Sequence, residues 1–311
     1  MSYLNGRVHV VGIGGAGMSG IARVLLARGI EVSGSDAKDS RRLQALKPLG
    51  GKVFVGHESD KLLIYGSKPY CVVISTAIGQ DNPEVVKATE LGIPVVSRAI
   101  ALAELLENTT AISVAGTHGK TTTTSMVTVI LQNAGKDPSF VIGSEMNESG
   151  SNAHQGSGEL FVVEADESDG TFLVLPTTLG IVTNVEADHL NYWGSYEAIE
   201  QAFVDFIVGT GSRDGCAVVC GDDPGAIVVT TRARELGANV ITYGQSKDND
   251  AVLTLLPSGT VGSEFTISYQ GQTHGPIKLL VPGAHNALNA TAAFIAALTQ
   301  GCTSQQGVDG L

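Results

Sequence analysis

Two consecutive α/β domains with mostly parallel sheets are the fold class this sequence predicts, and three observations carry it. Apolar, β-branched runs alternate with helix-like stretches twice along the chain, each series has a strand that runs into a glycine-rich turn, and a polar joint separates the two. At 311 residues the chain accommodates both domains, by the rough prior of about 150 residues each, and its 43% hydrophobic content can fill two cores. Glycine, at 39 residues, is well above the average of about 7%. The excess falls at strand ends, where nucleotide-binding α/β folds need tight turns.

The first series reads as strands at 7–12, 31–36, 53–57, 71–76 and 94–97, with helix-like stretches between most of them. Its last helix, 98–106, ends in Glu107-Asn-Thr-Thr110, a polar joint that places the domain boundary near Asn108 and divides the chain into 1–107 and 108–311. The second series has strands at 112–116, 140–142, 160–166, 180–185, 217–221 and 240–243. From 251 to 281 the pattern alternates and is rich in Thr, Ser and Gly, which predicts an antiparallel β excursion; 286–299 returns to an alanine-rich helix. No fixed-period repeat is present, and the glycine loops of the two halves differ.

Lys plus Arg number 19 against 31 Asp plus Glu, and the resulting net charge of −12 argues against nucleic acid or an anionic membrane as partner. Phosphate binding, if present, has to be local. No basic segment followed by an apolar one opens the chain and no stretch of 18 apolar residues occurs, which predicts a cytoplasmic protein without membrane insertion. Cys71, Cys216, Cys220 and Cys302 form neither a CxxC pair nor a disulfide framework, so they read as buried small hydrophobes.

Four motifs carry chemistry. Val114-Ala-Gly116-Thr117-His118-Gly119-Lys120-Thr121-Thr122 is an apolar strand entering a loop suited to phosphates. Its glycines let backbone N–H groups converge, the following helix presents its positive end, Lys120 adds a charge, and Thr121 offers a hydroxyl to Mg²⁺. The usual first glycine is replaced by Val114, which points to a subclass; the plain alternative is a strand, turn and helix with a solvated lysine. Gly12-Ile-Gly14-Gly15-Ala-Gly17 follows the opening strand and leads into a helix, with Asp36 closing the next strand, the layout of a dinucleotide-binding turn. Hydride transfer with a nicotinamide cofactor is one reading of that turn, and close helix packing is another. Glu164-Ala-Asp166-Glu-Ser-Asp169 ends an apolar strand in clustered carboxylates, costly unless a cation arrives; Glu164, nearest the strand, is the expected Mg²⁺ ligand, against a solvated acidic loop. Thr183-Asn184-Val-Glu186-Ala-Asp188-His189 ends another strand, and its acids and amide around His189 suit a second metal.

Taken with Gly283-Ala-His285-Asn286-Ala-Leu-Asn289, and in this order over nearly the whole chain, these motifs resemble the Mur ligases of peptidoglycan synthesis, most closely their alanine-adding branch. The resemblance implies a Rossmann-like amino-terminal domain that binds UDP-N-acetylmuramate, and a P-loop α/β ATPase-type central domain that binds ATP. Gly116, Thr117, His118, Gly119, Lys120, Thr121 and Thr122 would cradle the ATP phosphates. Thr121 and Glu164 would hold one Mg²⁺ and His189 a second, with His285, Asn286 and Asn289 at the adenine and ribose. Gly12, Gly14, Gly15 and Gly17 would face the UDP diphosphate, with Asp36, His57 and Ser75 beside the uridine or sugar. Sister ligases carry a carbamylated lysine near the second metal; no lysine lies between His189 and Arg213, as expected for this branch.

The implied reaction activates the lactyl carboxylate as an acyl phosphate, which the amine of L-alanine attacks to give an amide, ADP and phosphate. Lys120, Glu164 and His189 would be its catalytic residues. Family members continue into a third domain that binds the amino acid, so these 311 residues are expected not to complete ligation alone. A ligase that attaches a recycled tripeptide to the same sugar nucleotide shares most of the motifs. A nicotinamide oxidoreductase or a non-catalytic nucleotide-binding regulator would leave the 116–122 loop or the metal residues without a role.

Overall fold

In the computed structural model, which describes residues 2–143, 151–257 and 262–311, the chain forms two compact units. The first comprises Met1–Asn108 with Ser139–Gly156, and the second Thr109–Pro138 with Ser157–Leu311.

The first unit is built on β1 (Val8–Val11), α1 (Ala16–Ala27), β2 (Val32–Asp36), α2 (Arg41–Gln44), β3 (Lys52–Val55), β4 (Cys71–Ile74), α3 (Pro83–Glu90), β5 (Val95–Ser97) and α4 (Arg98–Leu106). Its sheet runs β3-β2-β1-β4-β5, parallel throughout. All four residues of β1 are buried, as a central parallel strand covered on both faces requires. Because β2 and β4 lie on opposite sides of β1, the turn after β1 opens at the topological switch point, where open parallel sheets take ligands.

A buried polar chain runs beneath that turn. Arg7 donates to Ser33 Oγ (3.2 Å), which lies 2.8 Å from His9 Nδ1, and His9 Nε2 lies 3.3 Å from Glu84 Oε1. Ser35 donates to the other oxygen of Glu84, and His57 Nδ1 lies 3.2 Å from it. Burial pushes the Glu84 carboxyl up, but the hydrogen bonds of His9, Ser35 and His57 together outweigh it and hold the group below the usual glutamate range. A fully buried carboxylate is thereby kept ionised.

The second unit adds β6 (Thr110–Ala115), α5 (Lys120–Asn133), β9 (Leu160–Glu164), β10 (Thr177–Val182), α6 (Leu190–Trp193), α7 (Tyr196–Thr210), β11 (Cys216–Cys220), α8 (Pro224–Glu235), β12 (Val240–Gly244), β13 (Ala251–Leu255), β14 (Ser263–Tyr269), β15 (Gln272–Leu279), α9 (Ala284–Thr299) and α10 (Ser304–Asp309). The two strands passed over, β7 (Ser139–Val141) and β8 (Ala153–His154), belong to the first unit. The sheet of the second unit runs β15-β14-β13-β12-β11-β10-β6-β9. Its strands are parallel from β9 to β13, and β14 and β15 form an antiparallel hairpin at the far edge. The antiparallel excursion anticipated over 251–281 thus begins only after β13, which still pairs in parallel with β12 through Tyr243 and Gly244; residues 258–261 of that stretch lie outside the described residues.

The first compact unit is not continuous in the chain. Residues 139–156 belong to the first unit. There β7 and β8 pair antiparallel, and the buried Asn152 donates to the carbonyl of Ala16 (2.6 Å) and to Ser19 Oγ (3.3 Å) at the start of α1. An amide satisfied on a neighbouring helix is a tertiary event that no local pattern signals.

Removing the Glu84 carboxylate leaves His9 and His57 without their acceptor, so Glu84→Ala should cost roughly 3–5 kcal/mol of stability. Since the folded carboxyl titrates below its unfolded value, its contribution is full above about pH 4.3 and fades as pH falls below that. Urea denaturation of the wild type and the variant at about pH 7 and about pH 4 should show a difference that shrinks with acidification.

Candidate functional site

Leaving aside α6, which begins on His189 without a side-chain cap, helix starts sort the structure into two kinds. α2, α3, α4, α7, α8 and α10 each begin on a residue whose side chain accepts a hydrogen bond from the first turn: Ser40, Asn82, Ser97, Ser195, Asp223 and Thr303. α1, α5 and α9 begin instead on Gly15, Gly119 and Gly283, with no side-chain cap. Uncapped first-turn N–H groups are available to an anion. These are the three helices that follow the glycine-rich motifs at 12–17, 116–122 and 283–289.

The loop between β6 and α5 is shaped by its neighbours. Gly116 has φ +130° and Gly119 φ +85°. A β-carbon at Gly116 would lie 2.1 Å from Thr183 Oγ1, and one at Gly119 would lie 2.8 Å from Asn289 Oδ1. Only glycine satisfies both constraints. The end of β10 clasps the loop: Thr183 Oγ1 donates to the His118 carbonyl (2.6 Å), Asn184 Oδ1 accepts from His118 N (2.8 Å), and Asn184 Nδ2 donates to His118 O (3.1 Å). Glu186 N donates to Thr117 Oγ1 at 3.0 Å. Sequence reasoning set Asn184 around His189; the structure commits it to the phosphate loop.

Lys120 is folded back. Its Nζ donates to the Gly116 carbonyl (2.6 Å), the Thr117 carbonyl (3.3 Å) and Glu167 Oε1 (2.8 Å). Glu167 is buried, and burial pushes its carboxyl above the usual range although Lys120 pulls the other way. Its backbone carbonyl accepts from Trp193 Nε1 (2.9 Å), and Phe172 packs against Trp193, Phe203 and Phe206, pinning the acidic loop to α6 and α7. Sequence reading missed Glu167 because spacing does not say which of four clustered acids turns inward; aromatic packing decides it. Asp166 and Asp169 instead accept from the amides of Ser168 and Thr171 within the loop itself.

Glu164 ends β9, adjacent to β6, with Val114 as its partner in the ladder. Its Oε1 is buried and makes no hydrogen bond, as does Oε2 of Glu167. A buried carboxylate oxygen without a donor is expensive. At a strand end beside a phosphate loop, it fits a hard cation whose remaining ligands come from phosphate and water. Among the described residues no group of three or more His, Cys, Asp and Glu side chains is arranged to hold a metal alone. His189 starts α6 with φ +53°, its amide donates to Asp188 Oδ1 (2.7 Å), and its Nε2 lies 3.6 Å from Asp188 Oδ2. At α9, Asn289 is buried against Gly119, beside the phosphates' expected place, whereas His285 is exposed and Asn286 donates to Pro282 O (2.8 Å).

In the first unit the turn 12–17 is tied to β2. Gly12 N and Ile13 N donate to the Ser35 carbonyl at 2.8 and 3.0 Å. Asp36 accepts from Gly14 N (2.9 Å) with one oxygen and from Lys38 N (3.1 Å) with the other, so it braces the turn. Ser75 approaches Gly12, and His57 sits above the buried Glu84.

Residues 114–297 match the family profile described as Mur ligase middle domain, and residues 7–110 match that described as Mur ligase family, catalytic domain. The UDP-N-acetylmuramate–L-alanine ligase of Acidothermus cellulolyticus is 49% identical over 306 residues, covering 98% of this chain and 63% of that enzyme; the chain thus spans less than two thirds of its relative's length. Among solved structures, the UDP-N-acetylmuramate–alanine ligase of Thermotoga maritima superposes with a TM-score of 0.84 at 30% identity, covering 98% of this chain and 67% of the other. The UDP-N-acetylmuramate:L-alanyl-γ-D-glutamyl-meso-diaminopimelate ligase of Neisseria meningitidis superposes with a TM-score of 0.86 at 27% identity, covering 98% and 97%.

Since the Glu167 carboxyl titrates above its ordinary range when folded, stability falls as pH rises from about 4.3 through the raised value. Glu167→Gln abolishes that loss. In urea denaturation without nucleotide, the variant should gain on the wild type between about pH 4 and about pH 7; an unchanged difference would mean that the Lys120 attraction cancels burial.

Proposed function

The chain belongs to the Mur ligase family, and from that premise we propose that it supplies the sugar-nucleotide and ATP sites of a ligase joining L-alanine to the lactyl carboxylate of UDP-N-acetylmuramate in peptidoglycan precursor synthesis. The observation that carries this reading is the uncapped start of α5, with Lys120 leading it, beside the unpartnered oxygen of Glu164. The 49% identity to an alanine-adding relative favours L-alanine as acceptor. Residues 1–107 are read as the substrate-binding domain and 108–311 as the central ATP-binding domain.

A carboxylate is a poor acyl donor because its leaving group would be oxide. Transfer of the γ-phosphoryl group of ATP to the lactyl carboxylate makes phosphate the leaving group, and the alanine amine then displaces it. Both reactants are anions, so the site has to remove their repulsion. Lys120 exchanges Glu167 and its own loop carbonyls for the β and γ phosphates, and the free amides of α5 and of Gly119 complete the cradle. Thr121 and Glu164 would hold one Mg²⁺ and His189 a second; bound there, the ions would neutralise phosphate oxygens during transfer. Asn289 steadies Gly119, while His285 and Asn286 at the start of α9 face the nucleoside. Gly12, Gly14, Gly15 and Gly17 take the UDP diphosphate on the uncapped start of α1, with Ser75 and His57 at the uridine or sugar and Asp36 bracing the turn. In a chain of this reading no membrane-spanning element is needed, and no helix among the described residues is long and apolar enough to cross a bilayer.

Phosphate release dependent on UDP-N-acetylmuramate and L-alanine, measured on the natural gene product, should fall by roughly 10²–10³-fold in Lys120→Ala. Undiminished ligation by that variant would overturn the assignment, and turnover with L-alanyl-γ-D-glutamyl-meso-diaminopimelate in place of L-alanine would move the chain to the tripeptide-adding branch.

A further inference from the structure

Nothing in the phosphoryl-transfer chemistry uses the buried carboxylate of Glu84. We propose that Glu84 and Ser35 together fix the tautomer of His57, so that its Nε2 presents a lone pair at the carboxyl edge of the first sheet and selects an N–H or O–H donor on the nucleoside or sugar of the bound nucleotide. This rests on the reading of the first unit as the sugar-nucleotide site, and it separates two roles there: His57 reads the neutral part of the ligand, and the turn amides take its diphosphate.

The tautomer follows from counting protons. Glu84 is fully buried and ionised, so both its oxygens only accept. Ser35 has one hydroxyl proton, and the geometry directs it to Glu84 Oε2. His57 Nδ1 lies 2.7 Å from Ser35 Oγ and 3.2 Å from the same Glu84 oxygen. Both of its neighbours are acceptors, so Nδ1 has to carry the hydrogen. A neutral imidazole has a single N–H, which leaves Nε2 as the acceptor.

The other half of the network prevents escape from this arrangement. Arg7 donates to Ser33 Oγ, Ser33 donates to His9 Nδ1, and His9 Nε2–H is therefore the donor to Glu84 Oε1. The hydrogens shared among Ser33, His9, Ser35, His57 and Glu84 are all committed, and reversing the His57 tautomer would leave a buried acceptor pair facing a lone pair. Ser35 also ties the network to the ligand side, because its carbonyl accepts from Gly12 and Ile13 in the glycine turn. The His57 ring reaches the surface at 19% exposure, while Glu84 lies wholly beneath it. A lone pair at Nε2 repels phosphate oxygens and matches an imide N–H or a hydroxyl. Glu84 is accordingly a positioning residue, and His57 a specificity-determining one.

Long-range ¹H–¹⁵N correlation spectra of the natural gene product, recorded at about pH 8 where an ordinary imidazole is neutral, test the tautomer directly. The expected spectrum shows His57 protonated on Nδ1, with Glu84→Gln and Ser35→Ala each shifting it toward the Nε2–H form. In calorimetric titrations His57→Ala should weaken UDP-N-acetylmuramate by about tenfold and leave inorganic pyrophosphate unchanged. An Nε2–H ring in the wild type overturns the proposal, as does an equal loss of both ligands in His57→Ala. Failure of the wild type to bind UDP-N-acetylmuramate would instead remove the proposed function, and the spectra would still decide whether Glu84 sets the ring. Should Glu84→Gln not fold, the wild-type spectrum and Ser35→Ala carry the test.

Discussion

Gly116 has no room for a methyl group, and the layout of the second unit's carboxyl edge depends on that. With the β-carbon's place taken by Thr183 Oγ1, the end of β10 comes close enough for Thr183 and Asn184 to hold both polar groups of the His118 peptide. The loop is thus prefolded by side chains from the next strand. The uncapped start of α5 is held in place without any group having to cap it, and the amides stay available. Orientation is set before a ligand arrives, and this lowers the ordering cost of binding.

The same edge shows how charge is managed when the ligand is itself an anion. The lysine is not left bare: Glu167 and two carbonyls satisfy it. Glu164 is left unsatisfied instead. The site thus keeps a cation in waiting and two carboxylate oxygens, one on Glu164 and one on Glu167, in deficit. A nucleotide with its cation answers both needs at once, whereas a free phosphate addresses only the first. Selectivity of that kind comes from the pairing of the two groups.

Much of this was legible in the chain. The parallel alternation, the polar joint at 107–110 and the glycine turns follow from periodicity and from residues with special backbone freedom, which are local properties. What escaped the sequence depends on packing across long separations. Glu84 reads as an ordinary first-turn acid of an amphipathic helix, and only the approach of His9, Ser35 and His57 makes it a buried anion. Glu167 stands among four acids, and its inward turn is set by Phe172 and Trp193. The placement of β13 in parallel beside β12 is likewise hidden, because a single strand's alternation looks the same in either direction.

The pairing of Asn152 with the start of α1 has a consequence for biosynthesis. The first unit is discontinuous in the chain, since it recruits residues up to Gly156 after the strand that opens the second. Vectorial synthesis, which generally completes amino-terminal domains first, therefore meets a delay here. A nascent chain ending at Asn108 lacks the ribbon whose Asn152 bonds the first turn of α1. The unit becomes whole only once residues through Gly156 have left the ribosome, by which time β6 and α5 have emerged as well, whereas Thr183, Asn184 and Asn289, which shape the second site, are still to come.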